Sequence, residues 1–311
     1  MSDFGVPPKQ LLRRERVRVK LAFATAPLSV LPTSITLAPL LLATTSTKIM
    51  RPSKIIHLVR HGQALHNVRA EPARKAGCSF DDFLQLMRED DAIDACLTEV
   101  GLKQAADVHE QAAAAGLAPQ LIVVSPLSRA IDTAGIVFGH NKSEDESIQG
   151  ENLDAPPYVC LESLRERNGM LLNGQRIEVK ALIQKYPYIN FDMVVPGRDE
   201  QWHAYGGETL ETSKDCAKRA YESLCWVVQR PETEVAIVAH GGLFHEMTNG
   251  LPKLIHVDER GAERFHNCEL RSLRLTWDEP NPTSSSMMGE GGKGGEDEEG
   301  GGALVLYLEC I

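Results

Sequence analysis

The sequence predicts an α/β layered domain built on a mostly parallel sheet. Three short, nearly continuous apolar runs, "KIIHLVR" (54–60), "QLIVVSP" (120–126) and "EVAIVAH" (234–240), have the composition of strands buried on both faces. Helical stretches separate them, and that alternation implies a layered core with a parallel sheet. With 42% hydrophobic and 24% charged residues among 311, apolar material suffices to fill such a core.

The first strand, 54–60, ends on a charged Arg60-His61 pair followed at once by Gly62. A helix follows from Thr98, a plausible N-cap, to the closing Gly116. The second strand leads into a helix over Ser128–Phe138. Residues 141–157 are polar, acidic and unpatterned, and read as a surface loop. A short apolar run, "YVCL" (158–161), precedes helices over Glu178–Tyr186 and Glu208–Arg230. The third strand ends in His240-Gly241-Gly242, and "ELRSLRLTW" (269–277) reads as a fourth. Residues 279–302 are low-complexity Gly/Glu/Ser and cannot bury enough apolar surface to order themselves. Residues 303–309 then form an expected antiparallel edge strand beside 269–277, within the same domain as 51–278.

Residues 1–50 differ in kind. Lys9, Arg13, Arg14, Arg16, Arg18 and Lys20 face only Asp3 and Glu15, and a Ser/Thr/Pro-rich apolar stretch follows. That is transit-peptide composition, pointing to a plastid or mitochondrion after removal of the segment, with the cytoplasm as the other location. A membrane anchor is weakened by Pro27, Pro32 and Pro39, and an overextended start is a third reading, since Met50 precedes the first strand. No membrane association is expected of the mature domain. The net charge of −10 argues against non-specific nucleic-acid binding. Seven scattered cysteines without a CxxC pair indicate reduced thiols rather than a zinc site or a disulfide framework.

The strand-end histidines carry the chemistry. In an open parallel sheet, ligands bind at the carboxyl ends of strands, so His61 and His240 are candidates to face each other across one site. Arg129, in "SPLSRAIDTA", starts the helix after the second strand and points to the same rim. Glu162 and Glu166, in "LESLRERNGM", follow "YVCL" and offer a carboxyl group. Two arginines, two histidines and a carboxyl group suit phosphoryl transfer without a metal or other cofactor. Guanidinium forks hold phosphate oxygens, a histidine serves as nucleophile, and a carboxyl group moves the proton. No GxxxxGK[ST] occurs, and "HEMTN" (245–249) is not HExxH, which removes P-loop and zinc-protease readings.

"LVRHGQALHN", "SPLSRAIDTA", "LRERNG" and "VAHGG", in that order across about residues 54–277, resemble the histidine phosphatase superfamily, also called phosphoglycerate mutase-like. "HNCELRSLRL" (266–275) and "ETLE" (208–211) look like its plant and algal branch. The resemblance implies a three-layer α/β/α sandwich. It also implies a phosphohistidine on His61, a phosphate pocket completed by Arg60, Arg129 and His240, and Asn67 as a further phosphate contact. Glu166 matches the proton donor better than Glu162, and Gly241 offers a backbone N–H. His66 is the best candidate among the other histidines for a supporting place. The substrate expected is a small phosphorylated metabolite. Similar mutases carry an "NERHYG"-like stretch around the acid and a tryptophan before the motif asparagine, where this chain reads "LRERNGM" and "ALHN". That departure favours a phosphomonoesterase over the mutase alternative. An inactive binding protein is disfavoured because every expected charged position is filled.

Overall fold

The computed structural model describes residues 51–139, 155–278 and 303–311. The targeting-like segment 1–50, nearly all of the acidic loop 141–157 and the low-complexity stretch 279–302 lie outside the described residues. In chain order, the first half holds β1 (Ser53–Arg60), α1 (Asn67–Lys75), α2 (Phe80–Glu89), α3 (Glu99–Ala114), β2 (Leu121–Val124) and α4 (Ser128–Val137). Then come β3 (Tyr158–Leu161), α5 (Val179–Lys185), β4 (Ile189–Met193), α6 (Glu200–His203) and α7 (Ser213–Gln229). The last part holds β5 (Glu234–Ala239), α8 (Gly241–Asn249), β6 (Ile255–Val257), α9 (Glu259–Ala262), β7 (Leu270–Trp277) and β8 (Leu306–Cys310).

The eight strands form one sheet in the order β4-β3-β2-β5-β1-β7-β8-β6. β7 pairs antiparallel with both β1 and β8, and every other neighbouring pair is parallel. Because side chains alternate across a strand, each central strand feeds two cores. Ile56 and Leu58 of β1 and Val235 and Ile237 of β5 pack with Leu224, Val227, Phe244 and Met247 from α7 and α8. Val59, Ile122, Val124 and Val238 face the other way, against Ala130, Ile131 and Ala134 of α4 and Leu182 of α5. Helices on both faces of a mostly parallel sheet are the expected three-layer α/β/α sandwich.

Two expectations need correction. β8 does pair antiparallel with β7, but neither is an edge: β7 lies between β1 and β8, and β6 pairs with the outer side of β8. A strand of three residues carries too little pattern to be read from sequence, and β6 is one. The helix expected from Glu208 begins at Ser213, because Thr212 is extended and its side chain accepts the Asp215 N–H at 3.1 Å, capping the first turn. Residues 70–95 and 168–207, between the motif segments, hold the end of α1, α2, α5, β4 and α6, and β4 is an edge of the sheet.

Gly62 ends the first strand for a steric reason. A Cβ there would lie 2.6 Å from the Gly101 carbonyl oxygen, and one on Gly101 would lie 2.1 Å from that of Gln63. The loop after β1 therefore crosses the first turn of α3 at backbone contact, fixed by Thr98 N, which donates to the Gln63 carbonyl at 2.9 Å. Neither backbone can rotate aside as a side chain would. Gly101→Ala should lower stability by about 1–3 kcal/mol in urea unfolding, the cost of overpacking a tight contact. An unchanged unfolding midpoint would contradict this close approach.

Candidate active site

Sheet register builds the site. Arg60 of β1 pairs with Ala239 of β5, so His61 and His240 leave adjacent parallel strands at the same level. Val124 of β2 pairs with Val238, which brings Ser125 beside them. The His61 and His240 rings lie 5.1 Å apart and tilted. Three central strands thus end at one rim, as the paired motifs led one to expect.

Arg129 lies behind these histidines with no exposed surface. Its Nε donates to His61 Nε2 at 3.3 Å, one Nη donates to His240 Nδ1 at 3.3 Å, and the other donates to the Asn173 carbonyl at 2.6 Å. α4 begins at Ser128 without a cap from its own chain neighbour Leu127. Asp94 supplies one from a distant loop, accepting from Ser128 N at 2.8 Å and from Ser128 Oγ at 2.6 Å. Among the described residues, no carboxylate forms an ion pair with Arg129. Burial pushes its guanidinium down to about 10, against the pull of Asp94 and Glu166, and at neutral pH it stays charged.

The ring contacts define the tautomers. His61 Nδ1 lies 2.7 Å from the Gly62 carbonyl, which can only accept, so Nδ1 carries the proton and Nε2 presents a lone pair. His240 Nδ1 faces a guanidinium that can only donate, so its Nε2–H donates to Ser125 Oγ at 2.7 Å. Burial first, and then the charge of Arg129, hold both rings well below the ordinary imidazole range. His66 is held down in the same way; it is buried 5.9 Å from the His61 ring, and its Nδ1 has no hydrogen-bond partner among the described residues.

Arg60 forms the other wall. It donates to the Phe265 carbonyl at 2.8 Å and to Glu71, while its Nε has no partner among the described residues. Burial would raise the Glu71 carboxyl, but the charge and hydrogen bond of Arg60 win and lower it. Both glycines after His240 are required by close approach. A Cβ on Gly241 would lie 2.9 Å from Arg60 Nε, and one on Gly242 would lie 2.2 Å from Glu166 Oε1. Glu166 accepts from Gly242 N and Leu243 N at 3.0 Å each, at the start of α8. The Gly241 N–H makes no hydrogen bond among the described residues and faces the same cleft. Asn67 Oδ1 accepts from Ala64 N at 3.1 Å, leaving its amide NH₂ for a ligand.

Glu162 and Glu166 part company because the segment is not helical. A 3₁₀ turn ends at Leu164 and Arg165 is extended. Glu162 turns into a buried cluster, accepting from Arg165 at 3.0 Å and Arg176 at 3.2 Å, whereas Glu166 lines the cleft. The lining of this cleft also includes Arg60, His61, His66, Asn67 and Gly241. Arg129 and His240 are not among its lining residues and reach it through His61, Arg129 by its hydrogen bond and His240 by its ring at 5.1 Å. Sequence reasoning missed Glu71, Asp94, Ser125 and Asn173. Ser125 alone had a signal, since it ends an apolar strand as His61 and His240 do. The described residues contain no cluster of three metal-ligating side chains, and none of their helices is long and apolar enough to cross a membrane.

The buried histidines make stability depend on pH. Unfolded, each titrates near its ordinary value of about 6.5; folded, each has a lowered value and binds fewer protons. Their stabilisation is therefore complete above about 6.5 and is lost as pH falls below it. Asp94, raised by burial to about 6, works in the opposite direction below that value but is one group against three. The melting temperature should fall as pH drops through about 6, and His240→Gln should flatten that slope. An identical slope in the variant would contradict a buried neutral His240.

Comparison with known proteins identifies the family. The family model of the histidine phosphatase superfamily (branch 1) matches residues 56–286. The chain is 32% identical over 239 residues to phosphoglycerate mutase-like protein 1 of Arabidopsis thaliana, covering 71% of this chain and 80% of that one. It is 27% identical over 234 residues to a probable phosphatase of Schizosaccharomyces pombe, covering 73% and 92%. Among solved structures, mycobacterial hydrolase 2 aligns with a TM-score of 0.44 at 21% identity, covering 83% of this chain and 90% of that one. With its motif residues gathered at one sheet rim and most of its length matched, the chain belongs to the histidine phosphatase superfamily.

Proposed function

We propose that this protein is a phosphomonoesterase that hydrolyses a small phosphorylated metabolite through a phosphohistidine on His61, without a metal ion. Family membership supports a phosphatase- or mutase-type enzyme. The observation that carries the finer reading is Arg129: a charged guanidinium, wholly buried, with neutral histidines rather than a carboxylate around it. A buried charge costs several kcal/mol unless it is paired, so the site is built to receive an anion. Arg60 Nε, the Gly241 N–H and the Asn67 amide, on residues that line the cleft, offer further donors.

In the first step His61 Nε2 forms a bond to phosphorus as the ester P–O bond breaks. The leaving oxygen takes a proton from Glu166. In the second, Glu166 takes a proton from water, whose oxygen attacks phosphorus and breaks the P–N bond. Arg60, Arg129 and His240 spread the charge that builds on the equatorial oxygens. A mutase would run the first step alike and return the phosphoryl group to a bound hydroxyl. Conversion of 3-phosphoglycerate to its 2-isomer, with the bisphosphorylated primer present, separates the two.

Release of phosphate from p-nitrophenyl phosphate in EDTA is the direct assay. His61→Ala should abolish turnover, and retained turnover would end this mechanism. Arg60→Ala or Arg129→Ala should lower kcat/KM by roughly 10²–10³, the loss typical of one preorganised donor. Glu166→Gln should slow esters with poor leaving groups more than those with good ones. Equal losses would move the proton transfer to another group.

A further inference from the structure

α2 adds nothing to either sheet core. Phe83 and Met87 instead form a small separate cluster with Ala70 and Leu171, roofing the cleft. Phe80, on the first turn of α2, is 56% exposed although it is a large aromatic residue, and it also lines the cleft, as does Leu84. One side of the cleft is therefore an apolar shelf, beside the phosphate-holding groups.

The shelf ends in charge. Arg74 and Arg264 line the cleft, and neither guanidinium group makes a hydrogen bond or ion pair with any described residue. The Arg74 guanidinium lies 5.0 Å over the Phe83 ring. Burial, and then the like charge of Arg74, depress Arg264, so the two guanidinium groups are near enough to repel. Glu246, Glu166 and Glu71 pull Arg264 the other way, but Glu71 is bonded to Arg60 and Glu166 to the start of α8, and the Glu246 side chain makes no hydrogen bond among the described residues. Two guanidinium groups without a hydrogen-bonded carboxylate at this end of the cleft suit a carboxylate ligand.

We propose that the organic group of the phosphorylated ligand has an apolar body that lies on the Phe80–Phe83–Leu84–Met87 shelf and a carboxylate that reaches Arg74 and Arg264. Apolar burial supplies affinity while two unpaired guanidinium groups supply direction. This rests on phosphate binding at His61 and Arg129 but not on turnover.

The test is calorimetric binding of non-hydrolysable phosphonates to the full chain. From propyl- to pentyl- to octylphosphonate, affinity should rise about fourfold for each methylene that reaches the shelf. Adding a terminal carboxylate to pentylphosphonate should tighten binding a further tenfold or so, as charge-assisted hydrogen bonds do. Arg74→Ala or Arg264→Ala should erase the carboxylate gain. Phe80→Ser, at an exposed position, should flatten the chain-length slope. Equal affinity for all chain lengths, or no gain from the carboxylate, would overturn the proposal. Chain-length-dependent binding without hydrolysis of any ester would instead end the phosphatase reading and leave this one standing.

Discussion

A guanidinium with no exposed surface and no carboxylate partner is the constraint to which the rest of the site answers. Taking such a charge out of water is costly, and the fold offsets part of the cost with neutral acceptors. Arg129 gives its three nitrogens to two imidazoles and a carbonyl. Each acceptor is then held in place. Ser125 fixes His240, the Gly62 carbonyl fixes His61, and Asp91 binds both the backbone and the side-chain nitrogen of Asn173. A carboxylate in place of any of these would satisfy the arginine and leave it nothing to hold.

The contrast with Arg165 shows how pairing separates support from chemistry. Arg165 is as buried as Arg129. It meets Asp199 with both terminal nitrogens and Glu162 with one, and Arg176 completes the cluster. Carboxylates match the Arg165 charge, although its Nε has no hydrogen-bond partner among the described residues, so the cluster positions the chain between β3 and α5. The loop it holds carries Glu166 into the cleft and presents the Asn173 carbonyl to Arg129.

Much of the candidate site was legible because its residues sit at strand ends, where pattern and chemistry are read together. Apolar runs ending in His-Gly at 61 and 240 marked one rim, and parallel register brought the two histidines level. Glu162 and Glu166 could not be separated by spacing. Their divergence depends on a single extended residue, Arg165, which no periodicity reveals. Glu71 was invisible for a similar reason: α1 contains Pro72 and has no clear apolar face. β6 and β4 are short, and they were missed because tertiary pairing rather than local pattern makes them strands. The shelf of α2 was also hidden, since Phe83 and Met87 at helical spacing look like ordinary core until the cleft beneath them is seen.

The central claim is that phosphate passes through His61 while Arg129 holds it. The most direct measurement is to quench the protein during turnover of a labelled phosphate ester and map the acid-labile label by peptide. The account predicts a single phosphorylated residue, His61, formed and discharged at the rate of turnover. Label on another residue, or turnover with no phosphoenzyme at any quench time, would contradict it.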